Sequence, residues 1–318
     1  MAEQIQSTIG GYFGLELRKG FPYHVGSVAL NSGRNALEYI LRSKPPAKIY
    51  IPNFTCVAIS KKIIEMGIEI EFYGINELME PMFDFKNINE TEAFLYTNYF
   101  GLKNKYIKKL AGLGCRFIID NAHSFFSPQV GNFETFYSPR KFFGVPDGGY
   151  AYSSYCGKLE QDYSSERISH LLLRHDESPQ AGYAAYLSNE NLIAQTSIRA
   201  MSKLSALIME SIDYSTVALI RKRNFQRLHA AIGESNLLPI VNDSKTVALT
   251  YPYLTKDVSL RKTLLENNIF TAKYWAEISQ NENSSKLERY YAEGIVHLPI
   301  DQRCDDNDIS RILQFVNI

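Results

Sequence analysis

Apolar and polar positions follow two different periods along the first half of the chain. Short apolar runs with the spacing of β-strands alternate with stretches whose apolar residues recur at helical spacing. The pattern predicts strands at 48–52, 68–73, 93–97 and 116–120, and helices at 36–43, 56–66 and 103–113. Strands that alternate with helices are typical of a mostly parallel sheet covered on both faces, so the sequence predicts an α/β fold.

The second half has a different pattern. From about residue 189 the chain is helical in character, and we expect one long helix over 198–232. After it come a strand-like run at 246–254, a helix at 259–267, an apolar strand or turn at 269–274 and a final helix near Asp305. We therefore predict two domains, a large one over 1–232 and a small C-terminal α+β domain over 233–318.

Composition narrows the class of protein. The chain has 318 residues, of which 45% are hydrophobic and 21% charged, so wholesale disorder is excluded. Its 34 basic residues balance its 34 acidic ones, which argues against a nucleic-acid-binding or membrane-surface protein. No apolar run approaches the roughly 18 residues of a membrane span, and no secretory signal is recognisable.

The spacing of the cysteines indicates the cellular compartment. They stand alone at Cys56, Cys115, Cys156 and Cys304, with none of the spacings of a zinc knuckle or a redox pair. Scattered cysteines are typical of a reducing compartment, so we expect a cytoplasmic protein without a metal site held by its own side chains.

The clearest chemical signal is a lysine among aromatic residues. Lys141 stands in the stretch FYSPRKFFGVPDGG at 136–149. A lysine that loses hydration has a lowered pKa, and its neutral amine can then form a Schiff base with an aldehyde cofactor. The alternative is an ordinary surface lysine in a loop.

A carboxylate and an imidazole follow a predicted strand in IIDNAH at 118–123. Asp120 ends the apolar run, where it could pair with the protonated nitrogen of a pyridine ring and make that ring a better electron sink. The alternative is an aspartate that caps a turn, with His123 as a packing residue.

A third stretch, NSGRNAL at 31–37, resembles a helix start that binds phosphate. Free N–H groups at a helix N-terminus bind anions, Gly33 allows close approach, and Arg34 could add charge. The alternative is an ordinary capped helix start. A phosphate site, a carboxylate and a lysine in this order are, however, what a pyridoxal-phosphate (PLP) site requires.

Six stretches also resemble, in order and spacing, the motifs of the DegT/StrS-type sugar aminotransferases. They are SGRNAL, IPNFTCVA, TNYFG, IIDNAH, FYSPRKFFGVPDGG and HLPIDQR, and they extend from about residue 25 to 305. The resemblance implies a fold-type-I PLP enzyme that works as a homodimer with its active site at the subunit interface. It implies transfer of an amino group, from an amino acid such as glutamate, to a nucleotide-linked keto sugar in polysaccharide or glycoconjugate biosynthesis.

The resemblance also assigns roles to residues. Lys141 would bind the cofactor covalently and later move the proton, Asp120 would pair with the pyridine nitrogen, and His123 would pack near the ring or its phenolic oxygen. The remaining positions that the resemblance places around the cofactor are Ser32, Gly33, Arg34, Asn35, Cys56, Asn98 and Ser138.

Some positions depart from the family pattern. Cys56 stands where the family has an aromatic residue that stacks on the ring, and Phe136 replaces a serine for which Ser138 can substitute. The family's GxNxR stretch has no clean match near 188–201. Two alternatives therefore stay open: another PLP reaction, such as dehydration or epimerisation, and a catalytically silent relative that only binds.

Four arginines are candidates to bind a substrate carboxylate or diphosphate, and the sequence does not choose among them. They are Arg34, Arg140, Arg199 and Arg303.

Overall fold

A computed structural model describes residues 9–154, 157–241, 243 and 245–316. Its centre is a sheet of eight strands in the spatial order β1-β8-β7-β6-β5-β2-β3-β4. The strands are β1 (Val28–Leu30), β2 (Lys48–Pro52), β3 (Glu69–Ile75), β4 (Pro81–Met82), β5 (Ala93–Thr97), β6 (Phe117–Asn121), β7 (Glu134–Tyr137) and β8 (Gly149–Tyr152).

Helices connect these strands and continue after them. The first seven are α1 (Gly33–Ser43), α2 (Val57–Glu65), α3 (Asn104–Leu110), α4 (Ser169–Asp176), α5 (Tyr183–Gln195), α6 (Lys203–Glu210) and α7 (Tyr214–Ile232). The C-terminal part adds a two-stranded sheet of β9 (Tyr251–Leu254) and β10 (Ile295–Leu298), with helices α8 (Leu260–Glu266), α9 (Lys286–Gly294) and α10 (Asp306–Val316).

The large sheet is mostly parallel, as predicted. Strands β2, β3, β5, β6 and β7 run parallel to one another, and antiparallel pairs occur only towards the edges, at β3–β4, β7–β8 and β8–β1. Two predicted strands, at 48–52 and 93–97, coincide with β2 and β5. The α/β fold class and the small second sheet are thus confirmed.

The single long helix predicted over 198–232 is wrong. The chain forms two helices there, α6 and α7, separated at residues 211–213. The side chain of Asp213 accepts a hydrogen bond from the backbone N–H of Thr216 at 3.1 Å and so begins α7 anew. Such a cap satisfies an N–H group that a continuous helix would have paired with a carbonyl, whereas apolar periodicity alone does not reveal the interruption.

The C-terminal part packs directly on one face of the large sheet. Trp275, Ile278 and Tyr291 share an apolar cluster with side chains of β5 and β6. The end of α7, with Phe225, Leu228 and Ile232, instead packs in the cluster that holds β9, β10 and α10. The predicted domain boundary at 232 stays a prediction, but this packing brings the C-terminal part to the edge of the sheet where the site lies.

Three further findings concern the part of the chain that the structure describes. It contains no helix that is both long and apolar enough to cross a membrane. No group of three or more histidine, cysteine and acidic side chains within it is arranged to hold a metal ion. Cys56, Cys115 and Cys304 are free thiols, while Cys156 lies outside the described residues.

Candidate active site

Strand register gathers the predicted site residues at one edge of the sheet. Thr97 of β5 is aligned with Asp120 of β6, which is aligned with Phe136 of β7. Because these strands are parallel, Asn98, Asp120 and Ser138 lie at their adjacent carboxyl ends, where open α/β sheets place their ligands. Positions up to 40 residues apart in the sequence therefore belong to a single site.

The helix start at α1 packs directly against the lysine loop. A Cβ atom on Gly33 would lie 3.1 Å from Cβ of Ser138, and a Cβ atom on Gly149 would lie only 2.2 Å from the carbonyl oxygen of Ser32. Glycine at 149 is therefore required for this contact. The N-terminal N–H groups of α1 and the hydroxyl of Ser138 thus lie at one place, a combination that suits a phosphate group.

Asp120 is a buried carboxylate at the end of β6, with 5% of its surface exposed. Its Oδ1 accepts a hydrogen bond from the backbone N–H of Ala122 at 2.8 Å. Burial raises the pKa of Asp120 to about 6, against the opposing effects of that hydrogen bond and of the positive charge on Lys141. Such a carboxylate gains from a cationic ligand that restores its ionised form.

His123 is almost completely buried, with 2% of its surface exposed, and neither ring nitrogen has a hydrogen-bond partner among the described residues. Its ring stacks on Trp275 with centroids 5.1 Å apart and planes 5° from parallel. Burial holds the pKa of His123 well below its usual range, so the ring is neutral. Unpaired buried nitrogens are costly, and here they indicate that a polar ligand group belongs beside them.

Lys141 ends a short helical turn, Pro139–Lys141, and is open to a cavity of about 640 Å³. Although exposed to this cavity, the amine lies deep in the protein, and the loss of bulk hydration lowers the pKa of Lys141. The nearby Cys56, Asp120 and Glu190 oppose this shift. The result is an accessible amine whose neutral form is more populated than that of a surface lysine, as Schiff-base chemistry needs.

Two aromatic residues of the C-terminal part, Tyr274 and Trp275, complete the site. No motif in the sequence marks them as site residues. The Tyr274 ring centroid lies 5.5 Å from the Lys141 amine and 4.6 Å from the His123 ring centroid. Trp275, the chain's single tryptophan, has φ of 55°, a left-handed conformation that is strained for a bulky side chain. The available signal was this lone tryptophan beside a tyrosine at the end of the apolar run 269–274.

Three of the predicted cofactor ligands already have partners within the protein. The side-chain amide of Asn98 donates to Asn104 and Asn121, and that of Asn35 donates to the Asn31 side chain and to backbone carbonyls at 196 and 197. The Ser32 hydroxyl accepts from the backbone N–H of Asn35 and caps α1. These side chains fix the backbone around the site, and their direct contact with a cofactor stays a prediction.

Cys56 and Arg34 are half-buried at the same edge. Cys56 precedes the first turn of α2, and its thiol forms no capping hydrogen bond with that helix. Arg34 belongs to the first turn of α1, beside Gly33. Their contact with a cofactor stays a prediction.

The other candidate arginines have acidic partners. Arg140 pairs with Glu190, Arg199 lies 3.8 Å from Asp162, and Arg303 forms two hydrogen bonds with Asp301, at 2.7 and 2.8 Å. Of these, Arg140 and Arg303 line the cavity that contains Lys141.

No protein-family model and no curated protein sequence matches the chain. Solved structures do match it. NtdA from Bacillus subtilis, with the bound cofactor PMP, has a TM-score of 0.65 and 14% identity over 92% of this chain and 72% of its own. The sugar aminotransferase CalS13 from Micromonospora echinospora has a TM-score of 0.62 and 15% identity over 91% of this chain and 86% of its own.

A DegT DnrJ EryC1 StrS aminotransferase from Brucella abortus matches with a TM-score of 0.62 and 14% identity, over 92% of this chain and 85% of its own. The chain has the fold of a sugar aminotransferase. At such low identity the likeness establishes the fold alone. It confirms the architecture that the sequence motifs implied.

Proposed function

We propose that this protein is a PLP-dependent aminotransferase that transfers an amino group from an amino acid to a keto sugar. One observation carries the proposal: Lys141, Asp120, the unpaired His123 ring and the Gly33–Ser138 contact occur together at the carboxyl edge of the sheet. PLP offers a partner for each of these groups. Its aldehyde would react with the amine of Lys141, and its ring nitrogen would pair with the carboxylate of Asp120. Its phenolic oxygen would accept a hydrogen bond from His123, and its phosphate would lie at the Gly33–Ser138 contact.

The residues present fit that cofactor, and each has a definable task. Bound PLP would supply an aldehyde that takes up the amino group and a ring that withdraws electrons from the reacting carbon. Asp120 would hold the proton on the ring nitrogen, and a ring N–H of His123 would donate to the phenolic oxygen. Ser138 and the first N–H groups of α1 would hold the phosphate.

Lys141 would do the proton transfer. Its lowered pKa increases the neutral fraction of the amine, so that Nζ can take the proton from Cα of the amino donor and later return one to the acceptor. The ring of Tyr274 lies beside this amine, with its centroid 5.5 Å from Nζ. We further propose glutamate as the donor and a nucleotide-linked keto sugar as the acceptor, as the sequence motifs imply.

We also propose that the protein acts as a homodimer. Helix α5 exposes Tyr183, Tyr186, Leu187 and Leu192, which is unusual for a helix in contact with water on its outer side. The segment before β1 does the same, because Ile9, Tyr12 and Phe13 are each more than 90% exposed. A second copy of the chain would bury these side chains.

The test is titration of the purified protein with PLP, followed by visible spectroscopy and borohydride reduction. We expect the absorption band of a PLP–lysine adduct in the wild type and in Lys105→Ala, a matched change of an exposed lysine on α3. We expect no band in Lys141→Ala and a loss of activity of about 10²–10⁴-fold. Glutamate should bleach the wild-type band.

Two outcomes would contradict this proposal in different ways. A band that persists in Lys141→Ala would show that another lysine carries the cofactor. A wild-type band that neither glutamate nor other amino acids bleach would indicate a PLP reaction other than amino transfer.

A further inference from the structure

One arginine in the cavity wall is buried without a charged hydrogen-bond partner. Arg221 of α7 has 1% of its surface exposed, and it donates to the side chain of Gln302 at 3.1 Å and to the carbonyl of Leu249 at 3.0 Å. Its guanidinium lies 4.6 Å from the centroid of the Phe142 ring. These partners are all neutral, whereas a buried charge is normally compensated by an opposite one.

The nearest carboxylate is already engaged. Asp301 receives two hydrogen bonds from Arg303, in the bidentate geometry that arginine and carboxylate prefer. Asp301 acts on Arg221 only at longer range, and burial lowers the pKa of Arg221 to about 10 despite it. Arg221 is therefore still charged at neutral pH but only partly neutralised.

A third arginine adds to the same charge. Arg174 of α4 is exposed at the cavity and lies close enough to Arg303 that the charge of Arg303, together with desolvation, lowers the pKa of Arg174. Three guanidinium groups thus face one carboxylate in this part of the cavity, which leaves two positive charges uncompensated.

The other titratable groups of the cavity do not cancel this charge. Glu190 neutralises Arg140, while desolvation lowers the pKa of His170 and holds that of His297 near 3, so both rings are neutral. Lys141 adds positive charge when protonated, and His175 is exposed at the cavity.

We propose that Arg174, Arg221 and Arg303 form a binding subsite for the phosphoryl group of a substrate whose other end reaches Lys141. A phosphoryl group carries up to two negative charges and offers several acceptor oxygens, so it matches the two uncompensated charges better than a single carboxylate does. All three arginines line the same cavity as Lys141, and its volume of about 640 Å³ suits one small molecule.

This inference rests on the proposed function for the identity of the reacting end, but not for the subsite itself. The experiment is calorimetry of pyrophosphate and of inorganic phosphate against protein saturated with PLP. Saturation occupies the phosphate site at α1, so that a second anion site is measured separately. We expect pyrophosphate to bind once per chain, and Arg174→Gln to weaken binding about tenfold or more, since hydrogen bonds to charged groups have that strength.

Arg303→Gln should weaken binding to a similar extent, and Arg174→Lys should restore part of the affinity. Both positions are exposed, so these variants should fold normally. The matched control is Arg227→Gln, on the same helix as Arg221 but paired with Asp306 on the outer surface. This control should bind pyrophosphate as the wild type does.

The probes separate the possible ligands. Tighter binding of pyrophosphate than of phosphate supports a diphosphate-bearing substrate, and the reverse supports a sugar monophosphate. Binding of succinate with the same dependence on arginine, without binding of either phosphate, would overturn the phosphoryl assignment. Pyrophosphate binding that PLP abolishes, or that Arg174→Gln and Arg303→Gln leave unchanged, would overturn the subsite.

The two proposals fail separately. If Lys141 forms no PLP adduct but pyrophosphate binding still depends on Arg174, the anion subsite stands and the aminotransferase proposal falls. If the adduct forms and pyrophosphate does not bind, only the subsite is lost.

Discussion

The two sides of the candidate site are built in different ways. The sheet side carries Asp120 and Lys141, which lie at or just after strand ends and are placed by backbone hydrogen bonding. The opposite side, the C-terminal cover, consists of Tyr274 and Trp275, whose rings pack against His123 rather than pairing as a strand of the sheet. Strand register fixes the sheet side within one sheet, whereas the cover depends on contacts between residues more than 130 positions apart in the sequence.

This difference separates chemistry from environment. The sheet side holds the groups that would react or bind, and the cover removes water from them. The stacking of Trp275 on His123 and the approach of Tyr274 to Lys141 both place apolar surface against a polar group. The pKa of each of these two polar groups is lowered chiefly by desolvation. Changes in the cover should therefore alter stability and pKa, and changes in the sheet side should in addition alter binding and catalysis directly.

The largest expected effect of breaking the cover is that of Trp275→Ala. Trp275 is buried and contacts Phe54, Phe100 and His123, so its removal leaves a cavity between the C-terminal part and the sheet. We expect a loss of about 3–5 kcal/mol in the free energy of unfolding, as for other buried aromatic residues. Denaturant unfolding measures it, with Val258→Ala, an almost fully exposed position, as the control.

A loss below about 1 kcal/mol for Trp275→Ala would contradict this view of the cover. It would mean that the packing of the Trp275 side chain contributes little to holding the C-terminal part on the sheet.

On the sheet side, Asp120→Asn should raise the stability of the folded protein and lower its activity. The folded protein raises the pKa of Asp120 to about 6, above its ordinary value near 3.9. Folding therefore favours the protonated form, and the stability that this provides below about pH 4 is lost as the pH rises through 6. Asparagine removes the charge and keeps the acceptor for the Ala122 N–H.

We accordingly expect cofactor-free Asp120→Asn to be more stable than the wild type by about 2–3 kcal/mol at pH 7.5, with the difference vanishing near pH 4. Catalysed amino transfer should fall roughly 10–100-fold, because the ring nitrogen loses a charged partner. Denaturation of both proteins at the two pH values is the measurement. Equal stability of the two proteins at pH 7.5 would show that burial of the ionised Asp120 carboxylate does not destabilise the folded state.

The same contrast explains what could be predicted from the sequence. Asp120 and Lys141 were recognisable because each follows an apolar strand or lies in an aromatic loop, so a local pattern marks them. Strands 48–52 and 93–97 were predicted to the residue for the same reason.

The residues of the cover could not be predicted from the sequence. Tyr274 and Trp275 become site residues only because the C-terminal part packs on the sheet, and no local pattern encodes that packing. In the sequence, Arg221 is one of several basic residues on an amphipathic helix. Its burial against Phe142 and Gln302 depends on tertiary packing. The interruption before α7 was missed because a single side-chain cap at Asp213 outweighs helical periodicity.

The smallest effect, and the sharpest test of the cover's role, comes from Tyr274. Its ring contacts Lys141, His123 and His297, and it also lies 6.2 Å from the ring of the neighbouring Trp275. Tyr274→Phe keeps these contacts and should change the pH dependence of PLP uptake by less than about twofold at any pH. Tyr274→Leu removes the ring and admits water to the amine. Because desolvation is the largest cause of the lowered pKa of Lys141, that pKa should then rise towards its ordinary value.

The rate of PLP uptake against pH measures this shift, because only the neutral amine of Lys141 attacks the aldehyde. The profile of Tyr274→Leu should move to higher pH, and that of Tyr274→Phe should superimpose on the wild type. A shift in Tyr274→Phe as large as that in Tyr274→Leu would assign the effect to the hydroxyl. A shift of Tyr274→Leu to lower pH would mean that attraction between the ring and the ammonium form exceeds the desolvation of the amine, and that the cover holds Lys141 charged.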